Sequence, residues 1–239
     1  MRRVFIAVLL MVCFSSGVGY AQLARLGQLE IYGGVGIPLT PEEFKDFYKV
    51  GVSLNAQYVF FPASNIGIPF FAGYELFTVD NGAISDFFAQ GVTGVSIFDD
   101  FGNYLGQITG AQLDADGSAS SFRFGAGIRP YLTPSISPVQ FFLFANGSMN
   151  FLKTKTELKG GKVTFQDAFG NEQDLDFSEL GIEPENSEDT ENKFGLAAGA
   201  GIEVPAGPTM NLIFQGLYHI IFTSGDKTSF LGVTAGLVF

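Results

Sequence analysis

The side chains best suited to chemistry in this sequence are charged residues that lie inside otherwise apolar segments. They form two sets: Glu30, Arg129 and Glu203, and Lys49, Glu75 and Arg123. A charge in an apolar environment carries a large desolvation cost unless an opposite charge pairs with it. Because each set contains both signs, we predict two separate ion clusters, one toward each end of the fold, that close its interior.

The only histidine, His219, is a candidate general base. A histidine can activate a serine when both side chains lie on one face of a strand. The residue two positions later is Ile221, and Ser224 is too far along the chain to share that face. We therefore expect no catalytic residue, no cofactor and no enzymatic activity.

Acidic residues outnumber lysines between residues 153 and 192. They are Glu157, Asp167, Glu172, Asp174, Asp176, Glu179, Glu183, Glu185, Glu188, Asp189 and Glu191. Two interpretations stay open: divalent-cation binding, loose or in a bridge to lipopolysaccharide, and a solvated surface that repels anions. The spacing lacks the pattern of a calcium loop, so we assign no metal site here.

The elements that must position these residues are segments in which apolar residues alternate with small or polar ones. Eight segments of this kind cover roughly residues 29–37, 48–60, 70–77, 122–129, 140–151, 194–204, 210–220 and 230–239. A period of two over about ten residues is typical of a strand with two unlike faces, and ten residues suffice to cross a bilayer. After residue 21, no apolar run reaches the length of a spanning helix.

The connections between these segments alternate in length. Short ones read "FPASNIG", "TPSISP" and "PAGP", whereas long ones cover roughly residues 79–120 and 153–192. Aromatic residues collect near the strand ends, at one rim Tyr58, Phe60, Phe70, Tyr131, Phe141 and Phe239, and at the other Tyr48, Phe122, Phe151, Phe194, Tyr218 and Phe230. Short turns at one end, long loops at the other and two aromatic girdles are typical of a transmembrane β-barrel.

The long connections contain local structure of their own. The stretches "FDDFGNYL" and "FQDAFGNEQ" both place Gly-Asn between alternating segments, which predicts strands that continue beyond the membrane as hairpins. "TPEEF" from Thr40 predicts a short capped helical turn, and "AISDFFAQGV" a second short helix.

The first 21 residues have the layout of a secretory signal peptide: Arg2 and Arg3, an apolar stretch, then small residues up to Ala21. We therefore divide the chain into a signal peptide, residues 1–21, and an outer-membrane β-barrel, residues 22–239. The chain without the signal peptide has 11 basic and 24 acidic residues, a net charge of −13. This charge argues against a nucleic-acid partner, which would require a basic face.

The pattern and the last residues resemble a known family. Phe239 follows the alternating residues Val233, Ala235 and Leu237, which resembles the membrane-insertion signal of bacterial outer-membrane barrels. Over residues 25–239 the chain resembles the small eight-stranded OmpA-like and OmpX-like barrels. The resemblance implies an all-β, antiparallel up-and-down transmembrane barrel with long extracellular loops and short periplasmic turns. No segment follows the last strand, so we expect no peptidoglycan-binding domain.

The resemblance also implies a class of function. We expect a non-enzymatic, monomeric protein of a Gram-negative outer membrane, which contributes to envelope structure, adhesion or surface recognition. Its expected partners are outer-membrane lipids and lipopolysaccharide, the barrel-insertion machinery and an unknown extracellular ligand. Three alternatives stay open: a narrow or gated porin-like channel, a lipid-modifying enzyme, and a soluble lipocalin-like carrier. The inward Glu, Arg, Asn and Gln residues argue against the carrier, whose interior would be apolar.

Overall fold

The computed structural model describes residues 27–99, 101–134, 136–181, 183–223 and 227–239. The expected signal peptide lies outside the described residues. The strands are β1 (Gly27–Thr40), β2 (Gly51–Ala63), β3 (Ile66–Thr78), β4 (Ser96–Phe98), β5 (Tyr104–Pro130), β6 (Gln140–Asp167), β7 (Glu172–Asp176), β8 (Glu185–Pro205), β9 (Asn211–Phe222) and β10 (Lys227–Val238). The helices are α1 (Glu42–Phe47) and α2 (Asn81–Val92). Neither described helix is long or apolar enough to cross a membrane.

Eight of these strands form a closed antiparallel barrel. Around the barrel the order is β1, β2, β3, β5, β6, β8, β9 and β10, and β10 pairs with β1 to close it. Beyond β10, the backbone of Phe239 exchanges two hydrogen bonds with that of Leu29. Closure leaves no barrel strand with an unpaired edge, which is what a lipid environment requires. The predicted eight-stranded up-and-down barrel is confirmed.

The two faces of each barrel strand are unlike, as the alternation predicts. Large apolar side chains that point outward include Ile31, Leu54, Phe70, Tyr74, Phe124, Leu143, Leu196, Phe214 and Val233, all exposed. Charged and amide side chains point inward and are buried together with aromatic rings such as those of Phe142 and Phe144. The apolar outside and the filled inside are the architecture of a transmembrane barrel.

Three aromatic residues assigned to the girdles do not lie there. Tyr48 precedes β2, is partly buried and packs against Phe44 of α1. Tyr131 is buried because its hydroxyl donates a hydrogen bond to the carboxylate of Glu203, at 2.7 Å. Phe230 is buried near the position where the pairing of β1 with β10 shifts register. Counted from the outward Phe239, position 230 falls on the inward face of a strand with a period of two, so the alternation itself directs this ring into the barrel and contradicts its assignment to a girdle.

The barrel has a turn end, which carries the short connections after β2, β5 and β8, and a loop end, which carries α1, α2, β4 and β7. Strands β5 and β6 are far longer than the sequence predicts. Residues 104–117 of β5 extend past the barrel wall paired with β6, a reach of roughly 45 Å. At the far end β4 and β7 flank them, so both predicted hairpins are confirmed.

A small second core supports this extension. Helix α2 packs against β5: Ser85 accepts a hydrogen bond from the backbone of Leu113, and Asn81 accepts one from Ala115. The rings of Phe88 and Phe177 pack edge to face, with 5.8 Å between their centroids. The predicted helix over residues 83–92 is therefore confirmed. At α1, the helix forms, but Thr40 bonds to Ser229 and Lys227 on β10 instead of capping it.

Candidate functional site

The turn-end cluster consists of Glu30, Arg129, Glu203, Gln28, Gln57 and Tyr131. Arg129 donates to both carboxylate oxygens of Glu30, with an Nη1–Oε1 distance of 2.6 Å and an Nη2–Oε2 distance of 3.2 Å. Its Nη1 also lies 3.6 Å from Oε1 of Glu203. A bidentate pair of this kind fixes both position and orientation. The structure thus brings together the three predicted residues of this set.

Neutral side chains donate further hydrogen bonds to the two carboxylates of the turn-end cluster. Gln28 and Gln57 donate to the two carboxylate oxygens of Glu30, and Gln28 and Tyr131 donate to Glu203. The Arg129 guanidinium carbon lies 4.2 Å from the centroid of the Phe142 ring. With two glutamates and one arginine the cluster has one excess negative charge, and these donors offset its burial.

The loop-end cluster consists of Arg123, Glu75, His219 and Asn55. Arg123 Nη2 is 3.0 Å from Glu75 Oε1 and donates to Asn55 Oδ1, also at 3.0 Å. Arg123 Nη1 lies 3.0 Å from His219 Nδ1. Because a guanidinium can only donate, Nδ1 must accept, and the ring proton of a neutral His219 lies on Nε2. The histidine therefore serves the cluster as an acceptor.

Lys49 does not join the loop-end cluster. Strand β2 begins only at Gly51, so Lys49 lies in the connection before it, where strand alternation does not apply. Its side chain is half exposed, and its Nζ is 3.9 Å from Asp80. This corrects the lumenal position that the sequence analysis gives to Lys49.

The space between the two clusters is almost filled. The cavity there, lined by residues that include Tyr32, Phe71 and Phe144, has a volume of about 10 Å³, room for at most one water molecule. Gly73 contributes to this packing, since a Cβ atom at that position would lie 2.1 Å from Asn55 Oδ1. The glycine therefore allows Asn55 and Arg123 to meet.

A larger cavity, the loop-end cavity, opens above the loop-end cluster and has a volume of about 430 Å³. Its residues come from six barrel strands, α1, α2 and the connections next to them. A column of aromatic rings runs along it, in the order Tyr48, Phe44, Phe77 and Phe230, with 4.9 to 5.5 Å between successive centroids. Phe230 then packs edge to face against His219 at 4.8 Å. No pattern in the sequence predicts this cavity.

The two hairpin tips of the extension repeat one turn. In each, an aspartate Oδ1 accepts hydrogen bonds from two backbone amides, and an asparagine side chain donates to its Oδ2. These pairs are Asp99 with Asn103, and Asp167 with Asn171. The glycines between them, Gly102 and Gly170, have φ angles of 82° and 88°, which favour glycine. In these turns the side chain of Phe101 is 90% exposed and that of Phe169 is 92% exposed.

Some acidic residues of the extension pair with lysines. Glu188 contacts both Lys153 and Lys155, at 2.5 and 3.5 Å, and these contacts lower the pKa of its carboxyl group. Lys159 contacts Asp116 at 3.1 Å. Among the described residues, no group of three or more Asp, Glu, His or Cys side chains is arranged to hold a metal ion.

The four residues assigned to membrane insertion lie on or next to β10. Val233 and Phe239 are about half exposed on the outside of the barrel, and Ala235 and Leu237 share their parity. Their inward neighbours Thr234 and Val238 are buried. This segment thus has one face toward the surroundings and one toward the barrel interior.

Comparison with solved structures finds several chains that are similar to this one. One is neisserial surface protein A, with 11% identity over 91% of this chain and 98% of that chain and a TM-score of 0.46. Another is a major outer membrane protein of Thermus thermophilus, with 12% identity over 89% of this chain and 98% of that chain and a TM-score of 0.48. The fold is that of a small outer-membrane β-barrel. The outer membrane protease OmpT of Escherichia coli is also similar (9% identity, 92% of this chain and 98% of that chain, TM-score 0.40). No family model matches the sequence, and no curated protein has significant sequence similarity to it.

Proposed function

We propose that this protein is a closed, non-enzymatic barrel of a bacterial outer membrane that presents a recognition surface outside the cell. In this orientation the loop end faces outward and the turn end faces the periplasm. Lipids and lipopolysaccharide surround its apolar belt, the insertion machinery reads its last strand, and the barrel works as a monomer.

The observation that carries this proposal is the repeated turn at the two hairpin tips. Two separate segments use the same Asp, Gly and Asn positions to hold a phenylalanine in water. Burying such a ring against a partner would recover about 1.5 to 3 kcal/mol. Pairing of Gly106 with Asp167 brings the tips side by side, so one partner can contact both rings.

Two further features support the closed and non-enzymatic parts of the proposal. The buried clusters and the small volume between them leave little room for a solute in the barrel interior. His219 is completely buried, and Arg123 occupies its Nδ1, the atom that a general base would need. These observations favour a closed barrel over the channel and enzyme alternatives.

The experiment replaces both exposed phenylalanines, Phe101→Ser and Phe169→Ser, in cells that display the protein. Adhesion is measured on polystyrene and on surfaces coated with matrix proteins. We expect a loss of at least fivefold with unchanged amounts of barrel in the membrane. The matched control is Ile136→Ser, which changes an equally exposed apolar residue at the turn end. Equal adhesion of the unchanged protein, the double phenylalanine variant and the Ile136→Ser control would contradict the proposal.

A further inference from the structure

The loop-end cavity combines an aromatic wall with negative charge. The side chains with carboxylates among its lining residues are Glu43, Glu75, Asp189 and Glu191, and none of the described lining residues is Lys, Arg or His. Most of the remaining lining is apolar or carries a hydroxyl group. Its volume of about 430 Å³ is within the range of small-molecule sites.

The carboxylates differ in how far neighbouring cations neutralise them. Glu191 is 3.2 Å from Lys193, and Glu75 Oε1 is 3.0 Å from Arg123. Asp189 accepts a hydrogen bond only from the backbone amide of Thr190 among the contacts of the described residues. The mouth of the cavity therefore has an excess of negative charge, which attracts cations from solution.

An unpartnered atom at the floor points to a ligand independently of this charge. Glu75 is 3% exposed, lines the cavity, and its second oxygen, Oε2, has no hydrogen-bond partner among the described residues. Nδ1 of His219 lies 4.0 Å from Oε2, but this nitrogen accepts a hydrogen bond from Arg123 and cannot donate to the carboxylate. A buried carboxylate oxygen without a donor is costly, and a ligand donor or an electropositive group would satisfy it.

We propose that the loop-end cavity binds a small hydrophobic cation, that is, an ammonium or guanidinium group on an apolar or aromatic body. The aromatic column contributes ring faces that attract cations and exclude water. The rings of Tyr48 and Phe44 form one end of the column, and the ring of Phe230, at the other end, lies against His219 of the loop-end cluster. The apolar body occupies this wall, and the cationic group contacts the carboxylates.

The inference deepens the proposed function, because it names a ligand class for the end of the barrel that faces outward. It does not depend on the hairpin tips. Adhesion tests the tips on whole cells, whereas cation binding is measured on the purified barrel. Either result can fail while the other stands.

The test is isothermal titration of the full exported chain in lipid nanodiscs, with empty nanodiscs as the reference. The probes are benzyltrimethylammonium, benzyl alcohol and benzenesulfonate, which have similar bodies and positive, zero and negative charge. We expect benzyltrimethylammonium to bind at least tenfold more tightly than benzyl alcohol, and benzenesulfonate not to bind. No heat from the cation, or equal affinity for the alcohol, would overturn the proposal.

Variants locate the site. Glu43→Gln and Asp189→Asn are expected to weaken binding of benzyltrimethylammonium by about three- to fivefold each, since each removes one carboxylate from the mouth. The matched control is Glu42→Gln, because Glu42 is next to Glu43 on α1 and does not line the cavity. Both residues are exposed, so neither change threatens folding. Equal effects of Glu42→Gln and Glu43→Gln would show that only the overall charge matters and would refute the site.

Discussion

Replacing Arg129 by methionine tests whether the turn-end cluster holds the barrel together. The change removes the only cation of that cluster and leaves Glu30 and Glu203 buried side by side. Breaking a buried ion pair by removing one partner costs about 3 to 5 kcal/mol, because the remaining charge is uncompensated. Methionine keeps much of the arginine stem volume, so the loss reflects charge more than packing. We expect about 4 kcal/mol less unfolding free energy.

A second change should restore part of the loss. In the double variant Arg129→Met, Glu30→Gln, one of the two stranded carboxylates is gone, and Glu203 keeps its donors Gln28 and Tyr131. We expect the double variant to recover about 2 kcal/mol relative to Arg129→Met alone. The assay is urea unfolding in phospholipid vesicles, followed by the fluorescence of the tyrosines in this tryptophan-free chain and by gel mobility.

An exposed pair is the control. Lys153 contacts Glu188 at 2.5 Å, but both side chains are about half exposed, so Lys153→Met should cost less than about 1 kcal/mol. If Arg129→Met also costs less than about 1 kcal/mol, or if the double variant is no more stable than the single one, the cluster does not stabilise the barrel as we argue.

Three further predictions follow from the same geometry. Gly73→Ala should destabilise the barrel by about 1 to 3 kcal/mol, because the new Cβ atom would clash with Asn55 Oδ1. The control is Gly216→Ala, whose Cβ atom would have no other atom within 4 Å and which should have little effect in the same unfolding assay. The turns at the hairpin tips should open in acid. Hydrogen bonds from Asn103 and from Asn171 lower the pKa of Asp99 and of Asp167, respectively. The turns are therefore intact above about pH 4 and open as the pH falls through the lowered pKa values. Amide hydrogen exchange at Phe101 and Phe169 measures this, and exchange independent of pH after correction for its intrinsic rate would contradict it. The ring proton of His219 should lie on Nε2, which nitrogen NMR of the imidazole reads directly, and a proton on Nδ1 would contradict the contact with Arg123.

The barrel is readable from the sequence because its main determinant is local. Each strand has one apolar and one polar or small face, and that period of two needs only neighbouring residues. The inward charges follow from the same parity, so Glu30, Arg129 and Glu203 meet as expected. The error at Lys49 has the same origin, since parity has no meaning outside the strand that begins at Gly51.

The loop end was less predictable because its structure depends on distant segments. The length of β5 and β6 is set by their mutual pairing and by the packing of α2, not by a bilayer. The loop-end cavity is lined by side chains from both helices and six barrel strands. No local sequence pattern predicts that these distant side chains come together.

The measurement that tests the central claim most directly is a spin-label scan of β9 in a bilayer. Single cysteines at residues 212–219 in a Cys13→Ser background are labelled, and collisions with oxygen and with a water-soluble nickel chelate are recorded. The structure places Leu212, Phe214, Gly216 and Tyr218 outside and Ile213, Gln215, Leu217 and His219 inside. We predict high oxygen collision rates at the four outward positions and low rates for both agents at the four inward ones. A flat profile, or the opposite alternation, would contradict the account.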